Sequence, residues 1–279
     1  MEKSMTHVNI DGDVINYSVG FASQTTYHGI GDKTFEKKKD ATLYADLQGL
    51  DPESVTPIVM AEPIPFALQS CKRLIERIKA TCGASTYTVL LTGGGNFREE
   101  VATIQPYKGQ RKADKPLNFA AIKQYMIDVH GAEVIEGEEA DDQLSVRAVK
   151  DGAWIATVDK DLNNTAGMHY NWVNDEVYEV GAVEADRNFY RQLFTGDSTD
   201  NIPGMFRITG QRANKELKEP LDELSDPVEM YAHVLDVYTD ACVKYELDLD
   251  VPATLLEIGR LLWMRRVDGE MWTPPGVAA

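Results

Sequence analysis

Long apolar runs are absent from this sequence. Nowhere do the ~18 or more consecutive apolar residues of a membrane-spanning helix occur. Cysteine is scarce: Cys71, Cys82 and Cys242 show no metal-ligand spacing. That excludes a zinc module and a disulfide framework, and predicts reduced thiols in a cytoplasmic protein. Basic residues are outnumbered, 28 Lys and Arg against 45 Asp and Glu, for a net charge of −17. Such a balance excludes a sequence-independent hold on nucleic acid by overall charge. It leaves room for one basic stripe, or for an acidic cluster that metal ions neutralise. The opening "MEKSMTHVNIDGD" lacks the apolar stretch of a signal peptide. What is present is a chain of 279 residues with 43% hydrophobic content. That suffices for a large core and, at ~150 residues per domain, for one or two domains.

Strand and helix signals alternate. "THVNID" reads as a strand ending in the carboxylates of "DGD". Residues 17–62 read as irregular and carry the run Lys37-Lys38-Lys39. "PFALQSCKRLIERIKATCG" sets Phe66, Cys71, Leu74, Ile75 and Ile78 on one face and ends in glycine, which predicts a helix. "YTVLLT" (87–92) is a strand, followed by a glycine-rich and then basic stretch from Gly93 to Lys115. "PLNFAAIKQYMIDVHG" is a helix with proline at its start and glycine at its end. A short strand "AEVIEG", a helix from about Glu138 to Val149 and a buried-type strand "AWIATVD" follow. "MHYNWV" and "EVYEV" form a hairpin around Asn174-Asp175, and beyond "GDSTDNIPG" the pattern is helical to about Arg266. Strands alternating with helices predict an α/β fold with a mostly parallel central sheet.

In "EGEEADDQLSV" (136–146) five of the first seven residues are carboxylates. Glu138 with Asp142, and Glu139 with Asp142, share a helical face. Asp11 and Asp13 end the first strand, Asp159 and Asp161 end "AWIATVD", and Asp197 and Asp200 sit three apart in "GDSTDN". Ligands of open α/β sheets bind at the carboxyl ends of strands, so these groups should meet at one edge. Single clusters are explained by helix capping, where an acid opposes the helix dipole by ~0.3–1 kcal/mol. Four together are less economically explained that way, because uncompensated carboxylates raise one another's pKa. Hard divalent cations reverse that sign, and oxygen-only ligands suit Mg²⁺ or Mn²⁺.

Three metal chemistries compete. "DKDLNN" resembles the start of a calcium-binding EF-hand loop, but Asn164 and Tyr170 replace the required glycine and glutamate. "DGDVI" resembles the first motif of haloacid-dehalogenase-type phosphatases, with Asp11 as nucleophile and Asp13 as acid. The ordered series "IDGD", "YKGQR", "EGEEADD", "TVDKD" and "GDSTDNIPG" resembles the flap endonuclease superfamily, and above all the bacteriophage 5′→3′ exonucleases. The ending "GRLLWMRRVDGEMWTPP" is similar to the tails of those enzymes. The resemblance runs from about residue 6 to the end, except for residues 20–62.

That resemblance implies a PIN-like nuclease core over 1–192, an arch at about 93–116, and a helix-turn-helix DNA-binding region over 193–279. It implies metal ligation by Asp11, Glu139, Asp141, Asp142 and Asp159 at one site, and by Asp161, Asp197 and Asp200 at its neighbour, for two Mg²⁺ or Mn²⁺ ions. Lys108 and Arg111 match the family's basic pair near the scissile phosphate, and Tyr107 its stacking aromatic. Arg98, Lys112 and Lys115 extend a basic stripe, interleaved with Phe97 and Tyr107, along the arch. Arg207, Arg212 and Lys215 are placed to hold the duplex backbone. The activity implied is metal-dependent 5′→3′ exonuclease, flap endonuclease or RNase H-like cleavage of DNA 5′ ends, flaps and RNA–DNA primer junctions. The implied setting is a monomer, away from membranes, in the host cytoplasm for a phage protein. Alternatives are the phosphatase and a DNA-binding replication accessory with a weakened site.

Two departures from the family pattern bear on the site. Gly93 stands where the second strand usually ends in a metal-binding aspartate, so an aspartate there is expected to restore a ligand. In the helix-turn-helix, Arg207 and Thr209 replace the usual pair of glycines.

Overall fold

The computed structural model describes residues 6–110 and 114–276. Strand β1 (His7–Asp11) lies in the middle of a six-stranded sheet. It is followed by α1 (Gly12–Ala22), then by β2 (Gln24–Ile30), β3 (Lys33–Phe35), α2 (Lys38–Gln48) and β4 (Thr56–Ala61). Next come α3 (Ile64–Thr81), β5 (Thr86–Thr92), α4 (Phe97–Val101), α5 (Phe119–His130), β6 (Glu133–Ile135), α6 (Ala140–Asp151) and β7 (Trp154–Ala156). The hairpin is β8 (Gly167–Asn171) and β9 (Glu176–Val180), turning through Asp175 at φ 53°.

The sheet order is β6-β5-β1-β7-β8-β9, parallel throughout except for β8 against β9. The expected fold class therefore holds. Strand β5 carries the near-continuous apolar run of a sheet covered on both faces, and β1 is buried from Val8 to Asp11 although the polar Asn9 interrupts its apolar residues. Val8, Ile10, Val89 and Leu91 pack against α1, α3 and α5, while Leu90 and Ile155 pack against Leu144 and Ala148 of α6. Gly12 is required by this packing: a Cβ there would lie 2.6 Å from the Leu90 carbonyl and 2.8 Å from Val89. Phe66, assigned from its spacing to the inner face of α3, is instead 62% exposed.

Residues 17–62 are not irregular. Helix α1 continues to Ala22, and β3-β2-β4 form a separate antiparallel sheet flanked by α2. All six residues of β4 are exposed. With no buried face along that strand, the apolar–polar alternation that signals a half-buried strand has no cause.

The chain from α7 (Ala182–Thr195) onward builds a second apolar cluster. It includes α8 (Met205–Thr209), α9 (Lys215–Lys218), α10 (Pro220–Glu223), α11 (Pro227–Lys244) and α12 (Val251–Leu262). Phe189 and Phe194 of α7 meet Val234 and Tyr238 of α11 and Leu255 and Ile258 of α12. The expected unbroken helicity to Arg266 is interrupted between these elements. Pro220, Pro227 and Pro252 each sit in a first helical turn, where a missing N–H is tolerated. Among the described residues no helix is long and apolar enough to cross a membrane.

Candidate active site

Three segments bring carboxylates to one edge of the sheet. Asp11 ends β1, is 1% exposed, and uses one oxygen to cap α1 through Val14 N–H at 3.0 Å. Its other oxygen accepts from the Thr157 hydroxyl at 2.8 Å. Asp13 lies in the first turn of α1 and accepts from Thr92 N–H, at the end of β5, at 2.9 Å. Thr92 Oγ1 accepts from Ala140 N–H at 3.0 Å, which fixes the start of α6 beside β5. Asp141 lies in the first turn of α6. Asp159 follows β7 and caps the single 3₁₀ turn Lys160–Asn164 by accepting from Asp161 N–H at 2.9 Å.

These groups raise one another. Burial, then the charges of Asp13 and Asp159, push the Asp11 carboxyl up to about 7. Burial first, and then Asp11, Glu139, Asp159 and Asp13, push Asp141 well above the usual carboxylate range. Burial and the charges of Asp159 and Asp197 push Asp161 up to about 7. Burial also raises Asp13. Glu139 behaves oppositely: burial works to raise it, but Lys108 and Arg98 together hold it below its ordinary value.

Lys108 stands against this acidic group. Its ammonium bonds Glu139 and lies 3.6 Å from Asp200. The Tyr107 hydroxyl donates to Asp200 at 2.8 Å and to Glu139 at 3.1 Å. Lys108 has φ 54°, left-handed backbone that costs a non-glycine residue roughly 1 kcal/mol. Such strain persists where the surroundings over-determine it, and it concentrates at functional sites. The site opens into a cleft of about 890 Å³ that Asp141, Asp159, Asp161 and Asp197 line together with Lys215 and Lys218.

The donor set is all oxygen, the chemistry of Mg²⁺ or Mn²⁺ rather than of a softer metal. Asp141, facing four other carboxylates, has no hydrogen-bond partner among the described residues. The residues thus fit a hard cation in type and in charge. In this arrangement, however, no three His, Cys, Asp or Glu side chains among the described residues stand close enough to hold an ion. The Lys108 ammonium supplies the positive charge at Glu139 and Asp200.

Two expected site residues are placed elsewhere. Asp142 is wholly buried, and its oxygens accept from the Arg98 guanidinium at 2.5 and 3.0 Å and from Arg265 N–H at 3.2 Å. A carboxylate committed to a buried ion pair is not available to a metal. Arg98 is 1% exposed and also donates to the Leu261 and Trp263 carbonyls, so it belongs to the interior and not to a basic stripe. Glu138, on the same side as Asp142, is taken by Arg265 at 2.5 Å. Phe97 lies under Arg265 and Arg98, with centroid distances of 3.8 and 4.7 Å.

Of the remaining candidates, Arg111 and Lys112 lie outside the described residues. Tyr107 presents its hydroxyl to carboxylates. Lys115 is exposed above the Phe119 ring, and Arg212 is exposed above Phe206. Arg207 is exposed but bonded to Gln105 and Asn201. Of these three only Lys215, of the expected duplex-holding group Arg207, Arg212 and Lys215, lines the cleft. Gly93 does not face the carboxylates: a Cβ there would meet the Glu136 side chain and lie 2.7 Å from the Ile135 carbonyl. Asp13, absent from the expected ligand set, holds the end of β5 instead. The i+2 spacing in "DGD" was the available signal for it.

No family model matches the chain. The thermostable DNA polymerase I of Thermus aquaticus is 30% identical over 176 residues, 57% of this chain and 21% of the polymerase. The chain thus spans about a fifth of the length of that curated relative. Among solved structures, the T5 D15 protein co-crystallized with metal ions superposes with a TM-score of 0.55 over 92% of this chain and 89% of its own, at 14% identity. The bacteriophage T5 D15 flap endonuclease in a pseudo-enzyme–product complex with DNA and metal ions gives 0.46 over 91% and 99%, at 16% identity. The first superposition establishes a shared fold; the second is too loose to argue from. The fold expected from the motifs is the one shared with the T5 D15 protein.

Proposed function

We propose that this chain is a divalent-metal-dependent nuclease that hydrolyses DNA from 5′ ends, with flap endonuclease and RNase H-like cleavage as related activities. The observation that carries the reading is the pairing of an acidic sheet edge with Lys108, inside a cleft that Lys215 and Lys218 also line. Glu139, Asp141 and Asp159 are the candidates for one ion, with the enclosed Asp11 and Asp13 reaching it through water, and Asp161, Asp197 and Asp200 are the candidates for a second. An Mg²⁺ or Mn²⁺ ion held by these residues would supply the acidity that activates water and the charge that stabilises the departing oxygen. Lys108, released from Glu139, offsets charge on the phosphate as the P–O3′ bond breaks. Lys215 and Lys218 hold backbone phosphates without reading sequence. We divide the chain into a nuclease core over 1–192 and a DNA-holding region over 193–279, working as a monomer.

The phosphatase reading is disfavoured by Asp11. A nucleophile needs a free oxygen facing substrate, whereas Asp11 is 1% exposed with both oxygens hydrogen-bonded. Incubation with 5′-labelled duplex, flap and RNA–DNA substrates in Mg²⁺ tests the proposal. Short labelled products are expected, and their absence at every metal concentration would overturn it. Binding without products would favour the accessory reading.

A further inference from the structure

Asn201 is 5% exposed and has φ 61°, a left-handed conformation that asparagine tolerates better than most residues. Both ends of its amide are engaged. Nδ2 donates to the Pro106 carbonyl at 2.9 Å. Oδ1 accepts from Gln110 Nε2 at 2.7 Å and from Arg207 Nη2 at 3.0 Å. One residue earlier, the Asp200 carbonyl accepts from Lys108 N–H at 2.9 Å. Arg207 also bonds Gln105. Residues 105–110 are therefore tied at both ends to one buried side chain, with Tyr107 and the strained Lys108 between the ties. Asn201 touches none of the acidic side chains in these bonds, so its contribution is to geometry and not to charge.

We infer that Asn201 is a positioning residue: it fixes residues 105–110 so that Lys108 stands at the carboxylates, and through Arg207 it links that placement to the surface of α8. The inference rests on the nuclease reading for its catalytic consequence, but not for the placement itself. A displacement of ~1 Å in a group that acts on the reacting phosphate can cost about 100-fold in rate. Binding, carried by other cations, should change little.

Two variants separate the effects. Asn201→Gly keeps the backbone conformation and removes both ties. Asn201→Asp keeps an acceptor and loses the donor to Pro106. In single-turnover cleavage at saturating DNA, Asn201→Gly should be about 10–100-fold slower, with Kd for DNA within about 3-fold of wild type, and Asn201→Asp should be intermediate. Combining Asn201→Gly with Lys108→Ala should be no slower than Lys108→Ala alone, because the two act through one group. Fully additive losses would overturn the inference. An independent readout is limited trypsin cleavage after Lys108, which should accelerate in Asn201→Gly at an unchanged melting temperature. Cleavage no faster than in wild type overturns the inference whether or not the protein cuts DNA. A wild-type protein that cuts no DNA sinks the nuclease reading, and the trypsin comparison then decides Asn201 by itself.

Discussion

Arg98 and Asp142 face each other fork to fork in the interior, 1% and 0% exposed at their side chains, with contacts of 2.5 and 3.0 Å. The pair joins the segment after β5 to the start of α6, and Arg98 extends the tie to the end of α12 through the Leu261 and Trp263 carbonyls. Removing one partner leaves a buried charge uncompensated, which costs about 3–5 kcal/mol. Arg98→Met and Asp142→Asn should each lower the unfolding free energy read from chemical denaturation by that order. Any folded Asp142→Asn protein should keep its thermal response to Mg²⁺. A wild-type midpoint in both variants would mean that the pair is dispensable.

The raised carboxyls make a pH prediction for the metal-free protein. Asp11 is held at about 7 in the fold, against ~3.9 in an unfolded chain. Between those values the native state binds more protons than the unfolded state, so this group's contribution to stability falls as pH rises from about 4 to about 7. Asp11→Asn should flatten the decline in melting temperature across that window. Mg²⁺ or Mn²⁺, binding the ionised form, should raise the melting temperature more at pH 7.5 than at pH 5. A metal shift that is equal at both pH values would dissociate the ion from these carboxyls.

Lys108 and a metal ion compete for Glu139 and Asp200. Lys108→Met should therefore strengthen Mn²⁺ binding to the DNA-free protein, several-fold by titration calorimetry. It should also slow the single-turnover step at saturating DNA, since the lost contact strengthens as phosphate charge develops. Tighter metal binding without slower chemistry would confine Lys108 to neutralising Glu139 and Asp200 in the metal-free protein.

Asp141 is the carboxylate with four acidic neighbours and no hydrogen bond among the described residues. Asp141→Asn should stabilise the metal-free fold, because it removes repulsion, and should weaken the thermal response to Mg²⁺. A destabilised metal-free variant would show that the carboxylate is satisfied in a way the repulsion argument omits.

Gly93→Asp should not restore a ligand. Its Cβ would crowd the Ile135 carbonyl, a backbone atom that cannot swing aside, and set a second carboxylate against Glu136. A loss of ~1–3 kcal/mol is expected, with no fall in the Mg²⁺ concentration for half-maximal cleavage. A lower metal requirement in a folded variant would reinstate Gly93 as the missing ligand's place.

The sequence by itself determined the periodic elements and their end groups. "YTVLLT" ends in a continuous apolar run because both sheet faces are covered. The acids that end "THVNID" and "AWIATVD" and those in "EADD" follow from strand termini and a helix start, which local spacing encodes. Lys108 and Tyr107 were pointed to by the resemblance that "YKGQR" carries, and the fold sets both against Glu139 and Asp200. Residues 24–61 were illegible because an all-exposed strand such as β4 leaves no pattern of burial. Which acids of "EGEEADD" serve the cleft was decided only in three dimensions. Spacing set Glu138 and Glu139 alike with Asp142, but the fold separates them: Asp142 and Glu138 meet Arg98 and Arg265, 44 and 127 residues away in the chain, while Glu139 meets Lys108. Glu139 and Asp141 are left to the cleft because Arg98 of α4 and Arg265 of the tail engage the other two. A helix fixes which residues point together, and only its neighbours fix what they point at.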